Sequence, residues 1–275
     1  MHGCMPGCVV KCSIVFHGED GSHLTSALEY ETLAMLGTNL GIANLDAIAR
    51  MDRMCDELGV DTIETGSAIA QLMEAGILKF GDDRGALGIL NELKDGMPMG
   101  RIIAQGCAFT ARFLGLDRVT VAKGQAFPAH DPRACKSVGV TYCTSPMGAD
   151  HTAGINYQDP LSKEGQVKRS LNDQLLNAAI DSVGYCMIAL PSKSSIIYDI
   201  VKGLLNARFG LTLEREDIPN IGRETIKQEL SFNRSAGWTE AHNRLPDFMY
   251  KETLPPHNVI FDIPQDEIDT IFDLT

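Results

Sequence analysis

Three cysteines near the start of the chain have a spacing that is typical of a metal centre. Cys4, Cys8 and Cys12 form a C-x3-C-x3-C pattern among glycine and proline residues. Three close thiolates on a flexible loop suit an iron–sulfur cluster, in which each cysteine binds a different iron and a fourth ligand arrives from elsewhere. Zinc is the alternative, but structural zinc sites usually combine two short-spaced pairs. The spacing therefore favours a cluster over zinc, because no second such pair exists among Cys55, Cys107, Cys135, Cys143 and Cys186.

Charge and composition exclude several classes of partner. The chain has 275 residues and a formal net charge of −12, with 24 basic and 36 acidic side chains. Binding to a phosphate backbone depends on Lys and Arg displacing counterions, so nucleic acid and anionic membranes are not expected partners. Apolar residues at 44% and charged residues at 22% are ordinary globular values. The chain is expected to form one large domain or two ordinary ones.

Hydropathy and cysteine content indicate the compartment. No stretch approaches the roughly 20 apolar residues that span a bilayer, and the N-terminus has neither a basic start nor an apolar run. The expected location is therefore the cytoplasm. In a reducing compartment, clustered cysteines are more typical of metal or cluster ligands than of disulfides.

After an irregular first segment, the apolar residues of this half of the chain recur mostly with the spacing of helices. Residues 1–25 are expected to form a ligand-bearing loop rather than a core element. Capping residues and apolar spacing then predict helices over residues 29–37, 44–59, 61–76, 82–96 and 100–114. Cys55 lies on the apolar stripe of the second helix, so it is predicted to be a core residue.

The second half is also predicted to be helical, after a loop-rich stretch. A short β-branched segment at 119–122 precedes a loop over 124–150, and we place a soft boundary between domains 1–120 and 121–275. Helices are predicted over 166–190, 192–209 and 215–232, with an extended link at 254–258 and a last helix after Pro264. The fold class is mostly α and multihelical, with little sheet. This argues against a radical-type cluster enzyme, which needs the alternating strands and helices of an α/β barrel.

Six segments, in order along the chain, resemble motifs of the tungsten-pterin aldehyde:ferredoxin oxidoreductase family. They are GCMPGCVVKCS at 3–13, EYET at 29–32, LGVDTI at 58–63, PAHDPR at 128–133, TSPMGADH at 144–151 and DSVGYC at 181–186. The resemblance covers essentially the whole chain. Its strength comes from the shared order of the motifs.

The resemblance implies that Cys4, Cys8, Cys12 and Cys186 hold one [4Fe–4S] cluster. From the residues alone, Cys186 is equally consistent with a ligand and with a buried core residue, because free cysteine is common in apolar cores. The first two cysteines are spaced C-x3-C here, where better-known members have C-x2-C.

The resemblance also implies pterin contacts at two aspartates. Asp181 begins an Asp-x-x-Gly motif, and Asp61 begins the matching stretch in the first half. A carboxylate accepts two charge-assisted hydrogen bonds from amino-pyrimidine donors. Asp61 equally suits a helix N-cap, and both roles can coexist. The neighbouring positions implied to contact cofactor are Thr62, Ile63, Gly184 and Tyr185, the last standing where leucine is usual.

Glu29 and His151 match the acidic and imidazole residues that the family places beside its metal. Aldehyde oxidation adds oxygen from water and removes a hydride equivalent, so it requires a base and an acid. Taken alone, Glu29 would be a solvated carboxylate at a helix start and His151 a capping or surface histidine. Four further residues of the matching motifs receive no catalytic role: Glu31, His130, Asp131 and Arg133.

The resemblance implies the two helical C-terminal domains of an aldehyde:ferredoxin oxidoreductase-like enzyme, packed around a cofactor cleft. Such an enzyme converts an aldehyde and water to a carboxylate at a tungsten, or molybdenum, bis-pterin centre, and electrons leave through the cluster to ferredoxin. The family's β-rich N-terminal pterin-binding domain has no counterpart in the sequence. It is expected as a partner in cis or in trans.

Two non-catalytic hypotheses stand beside this one. The chain could be an electron-transfer subunit or fragment that binds only the cluster and docks onto a pterin-binding chain. It could also be a structural helical domain that holds zinc. A visible spectrum separates them, because iron–sulfur proteins are brown and zinc proteins are colourless.

Overall fold

The computed structural model describes residues 1–189 and 196–274. The chain divides into two compact units, Met1–Ala129 and His130–Thr275. The domain boundary that the sequence places after residue 120 stays a prediction. Within the described ranges, no helix combines the length and apolar character needed to cross a membrane.

The prediction of a mostly α, multihelical fold is confirmed. The described residues contain eleven α-helices and only two small antiparallel sheets, each of two strands. Short 3-10 helices complete the regular structure, at Thr38–Leu40, Met187–Ala189, Glu240–His242, Asp247–Tyr250 and Ile271–Leu274.

The first unit begins with a hairpin where the sequence predicted only an irregular loop. Strand β1 (Val15–His17) pairs antiparallel with β2 (His23–Ser26), with Phe16 opposite Thr25. The loop prediction is wrong for this stretch. The hairpin forms because its inward side chains, including those of Phe16 and Leu24, pack against the core of the unit.

Four helices of the first unit follow the predicted start and stop signals. They are α1 (Tyr30–Met35), α2 (Leu45–Leu58), α3 (Thr62–Glu74) and α4 (Asp83–Lys94). The Asn44 side chain accepts a hydrogen bond from the Ala47 amide, which confirms it as the N-cap of α2. Cys55 is fully buried on α2, as its place on the apolar stripe predicted.

The single helix predicted over 100–114 is two helices, α5 (Pro98–Ile103) and α6 (Cys107–Leu114). Gly106 separates them with φ of 84°, a left-handed conformation that favours glycine. The Glu64 carboxylate accepts the Cys107 amide at 2.9 Å and the Ala126 amide at 2.6 Å. It thereby caps α6 and ties it to a small sheet of β3 (Val121–Ala122) and β4 (Gln125–Ala126).

The first unit has one apolar core. Its largest fully buried side chains come from the segments α1 to α4 and their connections. They are Leu28, Leu36, Leu40, Met51, Ile69, Leu72 and Leu90.

The second unit contains a helix that the sequence did not predict. Helix α7 (Lys136–Thr144) lies within the predicted loop over 124–150, and all nine of its residues are buried. A helix that is buried on every side has no apolar–polar period, so the pattern gave no signal. Nearby, buried Arg133 donates to Asp131 at 2.7 Å and to the Glu252 carbonyl at 3.0 Å, which is a structural role.

Three longer helices follow, α8 (Gln166–Ser182), α9 (Ile196–Phe209) and α10 (Asp217–Ser235). Helix α8 ends earlier than the predicted residue 190, and the predicted start of α9 at 192 lies outside the described residues. Helix α11 (Gln265–Asp269) follows Pro264 as predicted. The link at 254–258 is a turn rather than extended chain, because the Leu254 amide donates to the Val259 carbonyl at 2.8 Å.

Candidate functional site

The loop that carries Cys4, Cys8 and Cys12 is closed at its base. The His2 amide donates to the Ser13 carbonyl at 2.9 Å, and the two side chains also meet, with His2 Nε2 and Ser13 Oγ 3.3 Å apart. Cys4 is exposed, while Cys8 and Cys12 are half-buried. The three thiols therefore belong to one loop at the surface of the first unit.

Two other cysteines of this unit are unsuited to bind metal. Cys55 and Cys107 are both fully buried. Burial raises the pKa of each thiol to about 12. Since the thiolate is the form that ligates metals, both remain protonated structural residues at neutral pH.

Cys186 follows the end of α8 in the second unit and is exposed. It is thus not the buried core residue that its apolar neighbours allowed. Gly184 adopts φ of 70° and its amide donates to the Asp181 carbonyl at 3.0 Å, while the Tyr185 amide donates to Ile180 at 2.9 Å. These bonds cap the last carbonyls of α8, so the Asp-x-x-Gly motif is a helix C-terminus that turns the chain toward Cys186.

Asp61 lies at the N-cap of α3. Its side chain accepts a hydrogen bond from the Glu64 amide at 2.7 Å, and the residue is exposed. Thr62 is half-buried and its Oγ1 lies 3.0 Å from Thr32 Oγ1 on α1, and Ile63 is half-buried. The capping role of Asp61 is confirmed, and the cofactor roles of the three residues stay predictions.

Glu29 is the half-buried residue immediately before α1. Its negative charge contributes to raising the pKa of a buried neighbour, Asp52. The Asp52 carboxylate accepts a hydrogen bond from Thr25 Oγ1 at 2.5 Å. Burial, with smaller effects from Asp56 and Glu29, raises the pKa of Asp52 to about 6. The second acid of the EYET motif, Glu31, accepts the Ala129 amide at 2.7 Å and so fixes the end of the first unit.

His151 lies beside a second histidine that the sequence left without a role. The rings of His151 and His130 are 5.0 Å apart between centroids and tilted by 42°. The Tyr157 hydroxyl lies 3.3 Å from His130 Nδ1. Both histidines are half-buried, so the structure assembles a small His–His–Tyr group around the predicted catalytic residue.

The second unit has a cavity of about 390 Å³ beside Asp181. Helix α8 contributes Gln174 and Asp181, helix α10 contributes Glu229, and the segment after α7 contributes Asp150. Partial burial and the charge of Asp150 raise the pKa of Asp181. Partial burial and the charge of Asp181 raise the pKa of Glu229.

One lining residue of this cavity is an unsatisfied acceptor. Gln174 is 2% exposed, and its Oε1 has no hydrogen-bond partner among the described residues. A buried carbonyl left without a donor costs about 1–3 kcal/mol. No Lys, Arg or His side chain lines the cavity in the described part of the chain.

This lining fits the pterin that the resemblance implies. The amino-pyrimidine edge of a pterin offers amino and ring N–H donors, and the cavity offers the carboxylates of Asp150, Asp181 and Glu229. Asp181 was predicted from the sequence; Gln174, Glu229 and Asp150 were not. Gln174 had a detectable signal, because its position seven residues before Asp181 puts both on one face of α8. Glu229 had none, since nothing in the sequence shows that α10 faces α8.

Comparison with known proteins agrees with the resemblance. The family described as aldehyde ferredoxin oxidoreductase, domains 2 and 3, matches residues 1–269. The tungsten-containing aldehyde ferredoxin oxidoreductases of Pyrococcus furiosus and Thermococcus kodakarensis are each 30% identical to the chain, over 258 and 260 residues. These alignments cover 84% of this chain and 42% of each relative. The chain therefore spans less than half the length of these relatives.

A more distant relative and a solved structure extend the comparison. The aliphatic sulfonate oxidoreductase WOR-like subunit of Pyrococcus furiosus is 31% identical over 173 residues, which are 55% of this chain and 28% of that protein. The active site complex BamBC of benzoyl coenzyme A reductase, solved in complex with 1,5-dienoyl-CoA, superposes with a TM-score of 0.76. That match covers 98% of this chain and 49% of the other at 15% identity, which shows a shared fold.

These findings confirm the resemblance first seen in the six motifs. The family match extends over nearly the whole chain, and the relatives align with it over most of its length. The chain belongs to the aldehyde ferredoxin oxidoreductase family, to the part that forms domains 2 and 3.

Proposed function

We propose that this chain forms the helical part of an enzyme that oxidises an aldehyde to a carboxylate at a tungsten, or molybdenum, bis-pterin centre. Electrons leave through a [4Fe–4S] cluster to ferredoxin. The family's N-terminal pterin-binding domain completes the enzyme, in cis or in trans. The observation that carries the proposal is the cavity beside Asp181, which Asp150, Asp181 and Glu229 line and to which no cationic side chain of the described residues contributes.

The chain's own residues divide into cofactor holders and groups that act on substrate. When bound, the pterin centre supplies two-electron oxidation and the cluster supplies one-electron transfer. Asp181 holds one pterin by accepting hydrogen bonds from its amino-pyrimidine edge, with Gly184 and Tyr185 shaping the end of α8 beside it. Asp61, Thr62 and Ile63 hold the second at the start of α3.

The cluster is held by Cys4, Cys8, Cys12 and Cys186. Two features support this assignment. The first three thiols share one closed surface loop, and Cys186 is exposed rather than packed in the core. The buried thiols of Cys55 and Cys107 are excluded because they stay protonated.

Glu29 and His151 act on the substrate. The Glu29 carboxylate accepts a proton from the attacking water, and an imidazole N–H of His151 donates a hydrogen bond to the aldehyde oxygen. His130 and Tyr157 support the His151 ring, since the two imidazoles are in contact and the tyrosine hydroxyl reaches His130.

The test is anaerobic production of the chain together with the family's N-terminal domain on a second chain. Iron, tungsten and aldehyde-dependent reduction of a viologen dye are measured on the purified complex. We expect a brown protein with four iron atoms per chain, bound tungsten and aldehyde-dependent turnover. A colourless protein that binds zinc would overturn the proposal in favour of a structural domain. Full iron without tungsten or turnover would leave an electron-transfer role instead.

A further inference from the structure

The segment that follows His151 lies along helix α8. The Asn156 side chain donates to Asp173 Oδ2 on that helix at 3.2 Å. Gly154 passes so close to the helix that an added Cβ would stand 3.3 Å from Asp173 Cβ and 3.3 Å from Gln174 Cγ. This approach depends on a residue without a side chain, so the segment packs directly on the helix.

Asn177 on α8 makes the attachment that is nearest to His151. The residue is 7% exposed, and its Nδ2 donates at 2.7 Å to the carbonyl of Thr152, which directly follows His151 in the chain. A carbonyl can only accept, so the NH2 side of the Asn177 amide must face it. Asn177 therefore fixes the chain at the residue next to the imidazole.

Hydrogen bonds within the segment extend this attachment to His151 itself. Asp150 Oδ1 accepts the Thr152 amide at 2.8 Å and the Thr152 hydroxyl at 2.7 Å. The His151 carbonyl accepts the Gly154 amide at 3.2 Å. His151 thus lies in a tight turn with bonds on both sides of it, so a displacement of Thr152 also displaces the His151 backbone.

The imidazole of His151 is supported from elsewhere. Its ring packs against that of His130, and the Tyr157 hydroxyl lies 3.3 Å from His130 Nδ1. These contacts limit the rotation of the ring, whereas the bond from Asn177 limits the position of the backbone that carries it. Both are needed to hold an N–H group of His151 at one point in space.

Asn177 lies one helical turn before Asp181. Asp181 lines the cavity and Asn177 does not, so one helix holds the proposed pterin ligand and, separately, the turn of His151. Asparagine is a poorer helix former than alanine or leucine, and a buried amide is unfavourable unless it is hydrogen-bonded. What Asn177 contributes to α8 is therefore its bond to the segment and not helix stability.

We propose that Asn177 is a positioning residue, which holds the turn of His151 against α8 and so sets the distance between the imidazole and the cofactor at Asp181. The inference rests on the proposed function, because it takes His151 to act on substrate and Asp181 to hold a pterin. A misplacement of about 1 Å caused by a residue away from the reacting atoms can lower a rate about a hundredfold. Without Asn177, the turn keeps its internal bonds but is held less tightly on the helix.

The first experiment compares Asn177→Ala with Asn172→Ala in the completed enzyme, which is the chain assembled with the family's N-terminal domain. Asn172 is exposed on the same helix, so both changes improve helix propensity and only one removes the bond to Thr152. We expect Asn177→Ala to lower kcat per bound tungsten about 10- to 100-fold, with KM within about twofold of its original value and full iron and tungsten. Asn172→Ala should retain kcat. A residue that only stabilised the fold would lower the melting temperature and leave kcat per tungsten unchanged.

The second experiment needs no cofactor and uses nuclear magnetic resonance of the 275-residue chain with isotope-labelled histidine. The His151 signals are identified by their absence in His151→Gln. Because the His130 ring is 5.0 Å away, its ring current makes these signals sensitive to the position of His151. Asn177→Ala should shift them and leave the signals of exposed His257 unchanged.

Gly154→Ala is an independent variant, which crowds the segment against α8 and leaves Asn177 in place. An added Cβ there would stand 3.1 Å from Thr141 Oγ1 as well, so the segment must shift. Gly154→Ala should therefore also shift the His151 signals and lower kcat. If Asn177→Ala does not fold, as judged by circular dichroism, this variant decides the question.

Several outcomes would overturn the inference. They are an unchanged kcat per tungsten or unchanged His151 signals in Asn177→Ala, an equal loss in Asn172→Ala, and, if only Gly154→Ala folds, normal kcat and signals in that variant. A loss of kcat that only follows a loss of tungsten would do the same, since Asn177 would then support the cofactor site. Failure of the proposed function appears separately, as an unmodified complex without tungsten or turnover, and the histidine signals then decide whether Asn177 positions His151.

Discussion

Gly222 on α10 lies against the carbonyl oxygen of Leu175 on α8, so closely that a Cβ at Gly222 would stand 1.8 Å from that oxygen. The two helices thus meet backbone to backbone at this point, and only glycine permits it. The contact is one turn from Thr225 and Ile226, which line the cavity. Gly222 therefore sets the separation of the two helices on which the cavity depends.

Replacing Gly222 tests this contact. Gly222→Ala should destabilise the chain by about 1–3 kcal/mol, because the helices must move apart to admit the methyl group. The matched control is Gly203→Ala within α9, where an added Cβ meets nothing within 4 Å. That change should stabilise by up to about 1 kcal/mol through helix propensity. Urea unfolding of both variants measures the difference, and equal effects would contradict the close contact.

The raised pKa of Asp52 makes stability depend on pH. The folded chain keeps this proton up to about pH 6, whereas the unfolded chain releases it near the ordinary value of 3.8. Between these values the folded state binds more protons, so the free energy of unfolding falls as pH rises and stays lower above pH 6. Asp52→Asn should remove that loss, and should stabilise the chain by about 1–2 kcal/mol at neutral pH and little below pH 4.

Thermal unfolding of Asp52→Asn across this pH range checks the prediction. The control is Glu57→Gln, an exposed carboxylate on the same helix that pairs with Arg53, which should leave the shape of the profile nearly unchanged. A profile for Asp52→Asn that runs parallel to that of the unmodified chain would contradict the role of Asp52.

Asp61 carries a capping role that can be separated from a cofactor role. Asp61→Ala should cost about 1 kcal/mol of stability, because the Glu64 amide loses its acceptor. Asp61→Asn keeps an N-cap oxygen and should be nearly neutral for stability, while it removes the charge available to a pterin. Denaturant unfolding measures the first effect and the tungsten content of the completed enzyme measures the second. A full tungsten content in Asp61→Asn would show that the Asp61 charge is not needed for the cofactor and that the residue serves only as the N-cap of α3.

The cluster assignment predicts different outcomes for exposed and buried cysteines. Cys186→Ser should lower the iron content and the visible absorption of the reconstituted chain, because the cluster loses its fourth thiolate. Cys107→Ala should leave both unchanged, since its buried thiol is not a ligand. Full iron in Cys186→Ser, with loss of iron in Cys135→Ser, would move the fourth ligand to Cys135.

His151 is predicted to act on substrate and not on iron. His151→Ala in the completed enzyme should abolish aldehyde-dependent turnover and leave the visible spectrum of the cluster intact. His257→Ala, an exposed histidine near the end of the second unit, should retain turnover. Loss of the cluster spectrum in His151→Ala would give His151 a structural role instead.

Sequence signals over a few residues predicted the helix caps, because a cap is formed by residues that are close together in the chain. Asn44 and Asp61 were recognised as caps from the sequence. The side-chain oxygen of an N-cap accepts a hydrogen bond from the amide three residues later, and this bond does not depend on what the helix packs against. Helix α7 was missed because its burial depends on the surrounding unit. The break at Gly106 was missed because it depends on Glu64, which lies far earlier in the chain and caps α6.

The same distinction applies to the candidate site. Asp181 and Cys186 belong to one short motif and could be named from the sequence. Glu229 lines the same cavity through the packing of α8 on α10, which no local pattern encodes. The orientation of the Gln174 amide depends on Thr144, because Gln174 Nε2 donates to the Thr144 hydroxyl. Thr144 lies on α7, a helix that the sequence did not predict.

The pairing of His2 with Ser13 affects how a cluster would assemble. It closes the cysteine segment into a ring, so part of the conformational entropy of bringing three thiols together is lost during folding and not during metal uptake. Once the first cysteine has bound, the other two are presented at a high effective concentration, set by the short ring rather than by the bulk solution. Breaking the ring would leave every ligand in place and still make cluster insertion slower and the captured iron easier for a chelator to remove.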